Sequence, residues 1–233
     1  MGTPQRVFTI LEGPQIWKLV NSFGLVLRAC WFALAIGALI ALLLGRFSLA
    51  FVSVATLLLS LFPLLLAQQL SVRLPVSFLI FTTVFVFATI FLGEAFDFYN
   101  KVWWWDLALH GSAAIGFGLL GFLFVFMLFE GDRFAAPPSA LALITFCVAM
   151  TIGACWEIFE FAMDQIFGLN MQKSGLDDTM GDLIVNGLGA LFAALIGYLY
   201  VRFSAAGVFG RFFEQFIQLN KSSYRKAIKR LKR

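Results

Sequence analysis

Six apolar runs, each about twenty residues long, occupy most of this chain and leave it few ways to fold. They lie near residues 25–45, 48–68, 75–95, 104–128, 139–163 and 179–203. At a rise of about 1.5 Å per residue, each run is long enough as a helix to cross a hydrocarbon layer of about 30 Å. In hydrocarbon the backbone must satisfy its own hydrogen bonds, which helices do locally. The runs are continuous rather than alternating, which excludes a membrane barrel. Composition agrees, with 61% apolar residues, 13% charged residues and 29 phenylalanines. A soluble domain has no interior large enough for that many aromatic rings. The expected fold is an all-α integral membrane protein, a bundle of six transmembrane helices.

Local signals refine the spans. Pro75 opens the third and Pro137-Pro138 precede the fifth, positions where a proline suits a helix start. The first run follows Trp17 and Lys18 and ends in Leu44-Gly45-Arg46, without the small-residue cleavage site of a signal peptide. Cys30, Cys147 and Cys155 show no redox or zinc spacing and read as buried small hydrophobes. Three regions follow: a juxtamembrane segment 1–24, a transmembrane domain 25–203 and a basic tail 204–233.

Charge sets the orientation. With both termini cytoplasmic, that side receives Arg6, Lys18, Arg28, Arg73, Arg133, Arg202, Arg211 and seven basic residues from Lys221 to Arg233. The other side keeps only Arg46, Lys101 and Lys173. That asymmetry predicts a multi-pass protein of the bacterial inner membrane with an even number of spans. The tail carries Phe212, Phe216, Ile217, Tyr224, Ile228 and Leu231 at helical spacing among lysines and arginines. It is expected to be an amphipathic helix lying on membrane lipids of the anionic cytoplasmic leaflet. A nucleic-acid partner is not expected.

The opposite side concentrates the acids. Eleven of the thirteen acidic residues fall between Glu94 and Asp182, and the topology sends nine of them, all but Glu130 and Asp132, to the extracytoplasmic end. Glu94 and Asp97 close the third span, and Asp106 and His110 open the fourth. Glu157, Glu160 and Asp164 close the fifth. Asp177, Asp178, Asp182 and Asn186 open the sixth. Asp106 and His110 share one helical face with Ala114, Gly118 and Gly121. Glu157, Glu160 and Asp164 share one with Ala149 and Gly153; Asp178, Asp182 and Asn186 share one with Ala190 and Ala193. Small residues mark close helix packing in lipid, so these polar stripes should point into the bundle.

Carboxylates gathered there repel unless protons or a cation neutralise them. Lys101 and Lys173 are the only basic side chains expected close by. The simplest neutraliser is a divalent metal held by Glu157, Glu160, Asp178, Asp182, Asn186 and His110. The oxygen-rich donors suit Mg²⁺, Mn²⁺ or Ca²⁺, and the single imidazole also admits Zn²⁺ or Fe²⁺. His110 and Asp106 are the candidates for catalysis. Other roles are open to several of these residues. Asp177 and Asp178 suit a helix N-terminus, while Glu94, Asp97 and Asp164 suit a solvated interface. Trp103, Trp104 and Trp105 suit an aromatic belt.

The segments Trp105-Asp106-x-x-x-His110-Gly111, Trp156-Glu157-x-x-Glu160 and Gly181-Asp182-x-x-x-Asn186-x-x-Gly189-Ala190 resemble those of YjdF-type inner-membrane proteins. More distantly they resemble VanZ-like membrane proteins, which carry an Arg shortly before the last Asp where this chain offers only Lys173. The resemblance implies a multi-span helical protein with a cell-envelope role, and it stresses Asp106, His110, Glu157, Glu160, Asp182 and Asn186. The residues leave three functions open. One is a metal-dependent membrane hydrolase or transferase acting on a lipid or polyprenyl phosphate. Another is a cation- or proton-handling transporter or accessory subunit. The third is a non-catalytic structural envelope protein.

Overall fold

A computed structural model describes residues 25–69, 73–128, 137–203 and 207–231. All regular structure among these residues is helical. Helix α1 spans Leu25–Leu43, α2 Phe47–Gln69 and α3 Val76–Val86. Helix α3 continues through Phe87–Ala95 with wider, π-helical hydrogen bonding. A single turn, α4, covers Phe98–Lys101, followed by α5 (Trp105–Leu128), α6 (Pro138–Phe167), α7 (Leu176–Phe203) and α8 (Gly207–Leu231). Six of these elements are long and apolar enough to cross a membrane: α1, α2, α3 with its π-helical end, α5, α6 and α7. The expected count of spans holds.

The ends differ by up to a turn from the sequence reading. Helix α6 runs to Phe167 rather than stopping near 163, and α7 begins at Leu176 rather than 179. Helical hydrogen bonding outlasts the apolar run at both places, and α6 continues until Gly168, in a left-handed conformation (φ 66°), stops it. The acidic turns of both helices are thereby held in regular geometry.

Helices α5, α6 and α7 pack on one another along their lengths, while α1, α2 and α3 form a second group that meets the first sparsely. Small residues bring α5 and α7 into backbone contact. A Cβ at Gly189 would run into the carbonyl oxygen of Gly111 and the side chain of Ala114. One turn further in, a Cβ at Gly118 would meet Ala193. Without a hydrophobic driving force between helices in lipid, such close van der Waals approach is what holds them together.

The basic end of the bundle is closed by aromatic packing. Phe122, Phe126, Tyr200 and Phe213 form a buried cluster, with Phe122 and Phe213 ring centroids 4.7 Å apart. Phe213 and Phe216 come from α8, so the first half of that helix turns its apolar face onto the protein. Asn220 fixes it there. Its Nδ2 donates to the carbonyls of Arg73 (2.8 Å) and Phe216 (2.8 Å), and its Oδ1 accepts from the Arg73 N–H (2.7 Å). The side chains of Tyr224, Ile228 and Leu231, the basic residues from Lys221 onward, and Arg6, Lys18 and Arg133 lie outside the described residues.

One expectation is corrected. Cys147 and Cys155 are exposed and Cys30 is half-buried, so the cysteines are not core residues. On a lipid-facing surface a small apolar side chain loses nothing by pointing outward.

Candidate functional site

The imidazole of His110 occupies the junction of α5, α6 and α7 at the end opposite α8. Its Nδ1 lies 3.4 Å from Glu157 Oε1 on α6. Its Nε2 lies 3.6 Å from Asp106 Oδ1, one turn away on α5, and 3.8 Å from Asp182 Oδ2 on α7. Both ring nitrogens therefore face carboxyl oxygens, and three helices contribute. His110, Glu157, Glu160, Asp182 and Asn186 are all buried, with Asp182 and Asn186 each 2% exposed.

These groups come together because the small residues do. Gly153 on α6 leaves room for the Asn186 amide, which a Cβ there would displace. Gly111 lets α7 approach the turn that bears His110. The site is thus a direct product of the close-packed stripes on three helices.

Two groups of donor atoms fit around a cation. Oxygens or nitrogens of Asp106, His110 and Asp182 lie within 4.8 Å of one another, and so do those of His110, Glu157 and Glu160. His110 belongs to both. Both oxygens of Glu157, Oδ2 of Asp182, Oδ2 of Asp178 and Nδ2 of Asn186 are buried without a hydrogen-bond partner. Buried polar atoms are normally satisfied, so several orphaned acceptors on one centre call for a ligand. Glu160 is better provided, since Trp156 Nε1 donates to its Oε1 at 2.9 Å. Of the expected ligands, Asp178 and Asn186 sit one turn to either side of Asp182 on α7; the Asp178 carboxylate falls outside both groups.

Other acids take different roles. Asp164 holds the α6–α7 loop, its Oδ1 accepting from the Met171 N–H (2.7 Å) and its Oδ2 from that of Gln172 (2.9 Å). Asp177 is exposed in the first turn of α7, and Glu94 and Asp97 are exposed at the rim. Trp103 is exposed and Trp104 partly so, as an aromatic belt requires.

The sequence reading put Lys173 close to the acids but missed its seat on Tyr99, which latches the site. Lys173, in the α6–α7 loop, donates to the carbonyl of Tyr99 (3.0 Å), lies over the Tyr99 ring at 4.4 Å and stands 3.9 Å from Asp106 Oδ2. Tyr99 fills the space left beside Gly93, where a Cβ would strike its ring. Burial raises the Tyr99 phenol well above its ordinary range, and the nearby charges of Asp106 and Glu94 raise it further. The available signal was the scarcity of cations at this end, which made Lys173 a natural partner for a buried acid.

Beside the His110 cluster lies a cavity of about 850 Å³ between the π-helical end of α3, α5, α6 and the loops above them. Such a volume falls in the range of about 300–1,000 Å³ typical of small-molecule sites. Asp106, His110, Glu160, Asn170 and Lys173 line its outer part, and Phe85, Phe117, Ala149 and Ile152 its deeper part.

The fold and site together define a polytopic helical membrane protein with a buried His–carboxylate centre. Residues 24–203 match the family described as "Predicted membrane protein (DUF2238)", and the chain belongs to that family. An uncharacterized protein of Thermotoga maritima is 34% identical over 113 residues, 48% of this chain and 57% of that protein. The chain thus spans little more than half the length of this relative. No solved structure matches the chain.

Proposed function

We propose that this protein holds a divalent cation between Asp106, His110, Glu157, Glu160 and Asp182, with Asp178 and Asn186 completing the ligand field, and uses it on the phosphate of a membrane lipid. One observation carries the reading: Glu157 and Asp182 present buried, unpartnered oxygens to an imidazole already flanked by Asp106. Carboxylates in that state are strongly destabilising without a positive charge among them. A bound cation would polarise a phosphoryl oxygen, while His110 and Asp106 are placed to exchange a proton with attacking water. The oxygen-dominated donor set favours Mg²⁺, Mn²⁺ or Ca²⁺, with Zn²⁺ admitted by the imidazole.

The same reading places the protein in a bacterial inner membrane with both termini cytoplasmic and the cation centre facing outward. Its support is the Lys/Arg asymmetry, together with the contact of Arg73 with α8 at the end away from His110. The likeness to YjdF-type and VanZ-like proteins agrees with an envelope role. Transport across the membrane is disfavoured because Leu119, Phe122, Leu123 and Phe126 fill the bundle inward of His110. The site is open at one end.

The test is reconstitution in vesicles bearing a lipid phosphate, with phosphate release followed as each divalent ion is added. Release that is lost in His110→Ala and Asp182→Asn supports the reading. No release with any ion, from protein shown to contain metal, would remove the catalytic step and leave a cation-binding protein.

A further inference from the structure

The cavity beside the cation centre has a direction. From Asp106 at its outer end to Phe117 at its inner end is eleven residues of α5, roughly 16 Å at 1.5 Å per residue. That depth is about one leaflet of a hydrocarbon core of about 30 Å. The inner half of the wall is apolar, formed by Phe85, Phe117, Ala149 and Ile152, and the polar groups gather at the outer end. Along its length α3 and α6 form no extended contact. Phe117, Ile152 and Phe159, which line it, are exposed, so the cavity opens sideways toward the bilayer. A water-soluble substrate would gain nothing from such an apolar shaft. A lipid entering from the outer leaflet fills both halves.

The charges at the mouth narrow the headgroup. Glu94, Asp97, Asp106 and Glu160 line the cavity against the ammonium of Lys173. A divalent cation in the centre would already be outnumbered by the carboxyl groups of Asp106, Glu157, Glu160 and Asp182, and Lys173 stands beside Asp106, so neither neutralises Glu94 or Asp97. Lys173 itself lies on the Tyr99 ring, so the mouth already shelters one ammonium. Lys101, another cation at this end, is turned to the Phe96 carbonyl (2.8 Å), so a purely anionic headgroup would leave the rim acids Glu94 and Asp97 uncompensated, and a headgroup carrying an amine beyond its phosphate would not.

We infer that the cavity between α3, α5 and α6 takes a zwitterionic, amine-bearing phospholipid of the outer leaflet, one chain along Phe117 and Ile152, the phosphate toward His110 and Lys173, and the amine at Glu94 and Asp97. This deepens the lipid-phosphate reading above and depends on it for the role of the cation.

The experiment is lipid retention by the full-length, detergent-purified protein, measured by native mass spectrometry after equal exposure to phosphatidylethanolamine and phosphatidylglycerol. It is run both metal-loaded and after chelation. The wild type should retain the ethanolamine lipid with about fivefold preference, the upper worth of a rim charge pair. Glu94→Gln combined with Asp97→Asn should erase the preference while retaining lipid. Asn suits the left-handed backbone at position 97 (φ 62°), so this variant should fold. Ala113→Phe, which fills the cavity, should lose bound lipid altogether. Equal retention of both lipids by the wild type, or a preference untouched by the rim substitutions, would overturn the inference. Ethanolamine preference in a protein that binds no metal would support this site and sink the cation reading instead.

Discussion

Replacing Gly189 with alanine adds one methyl group at the tightest contact between α5 and α7. The new Cβ would lie 2.7 Å from the Gly111 carbonyl oxygen and 2.9 Å from Ala114 Cβ. Ordinary contacts need about 3.5 Å, so the helices must part by about 0.8 Å. The obstacle is backbone and cannot rotate aside. Overpacking of this kind costs about 1–3 kcal/mol, or about 2–10 °C of melting temperature for a chain of this size. The separation also acts on function, because Gly111 adjoins His110 and α7 carries Asp182, now 3.8 Å from its ring. Divalent-metal affinity should fall about tenfold or more, as when groups supporting a ligand are disturbed. Gly187→Ala is the control. Its Cβ would meet only the Met150 sulfur at 3.7 Å, and it should stay within about 0.5 kcal/mol of the parent. The assays are thermal unfolding in detergent and metal titration of both variants. A Gly189→Ala protein with parental melting and metal affinity would refute the proposed α5–α7 contact and its link to the site.

Three further outcomes follow. Asn220→Ala removes three hydrogen bonds joining α8 to Arg73 and to its own preceding turn, so it should cost about 1–3 kcal/mol. Faster proteolysis of the C-terminal helix at unchanged metal content would show it. The half-buried Tyr99 phenol stays protonated above pH 10, where an unfolded chain releases that proton, so the wild type should lose stability as pH rises past 10. Tyr99→Phe should lose less between pH 9 and 11, by up to about 1.4 kcal/mol per pH unit, in parallel melting curves. Chelation should lower the melting temperature of the wild type by removing a ligand of the folded state, and it should leave Asp182→Asn unmoved.

The spans and the convergence of acids were legible in the sequence because both rest on local rules. Apolar runs of bilayer length dictate helices, and Asp106/His110 or Asp182/Asn186 at a spacing of four must share a face. Small residues on the same stripes correctly placed those faces inside the bundle. What escaped depends on loops, whose paths no periodicity encodes. The seating of Lys173 on Tyr99 joins residues far apart in sequence, and the reading of Asp164 as a loop clamp needs the turn after Gly168. The docking of Phe213 was invisible for another reason. An amphipathic basic helix reads as membrane-bound, and only the packing shows that its first half covers Phe122 and Tyr200 instead.

A cation between Glu157, Asp182 and His110 accounts for the buried, unpartnered oxygens of the two carboxylates. The most direct test of this cation is elemental analysis of the protein purified in mild detergent without chelator, alongside Asp182→Asn and His110→Ala. About one divalent ion per wild-type chain is expected, lost from both variants while each still unfolds cooperatively. Folded wild-type protein that contains no divalent metal, and takes up none across Mg²⁺, Mn²⁺, Ca²⁺ and Zn²⁺, would contradict it.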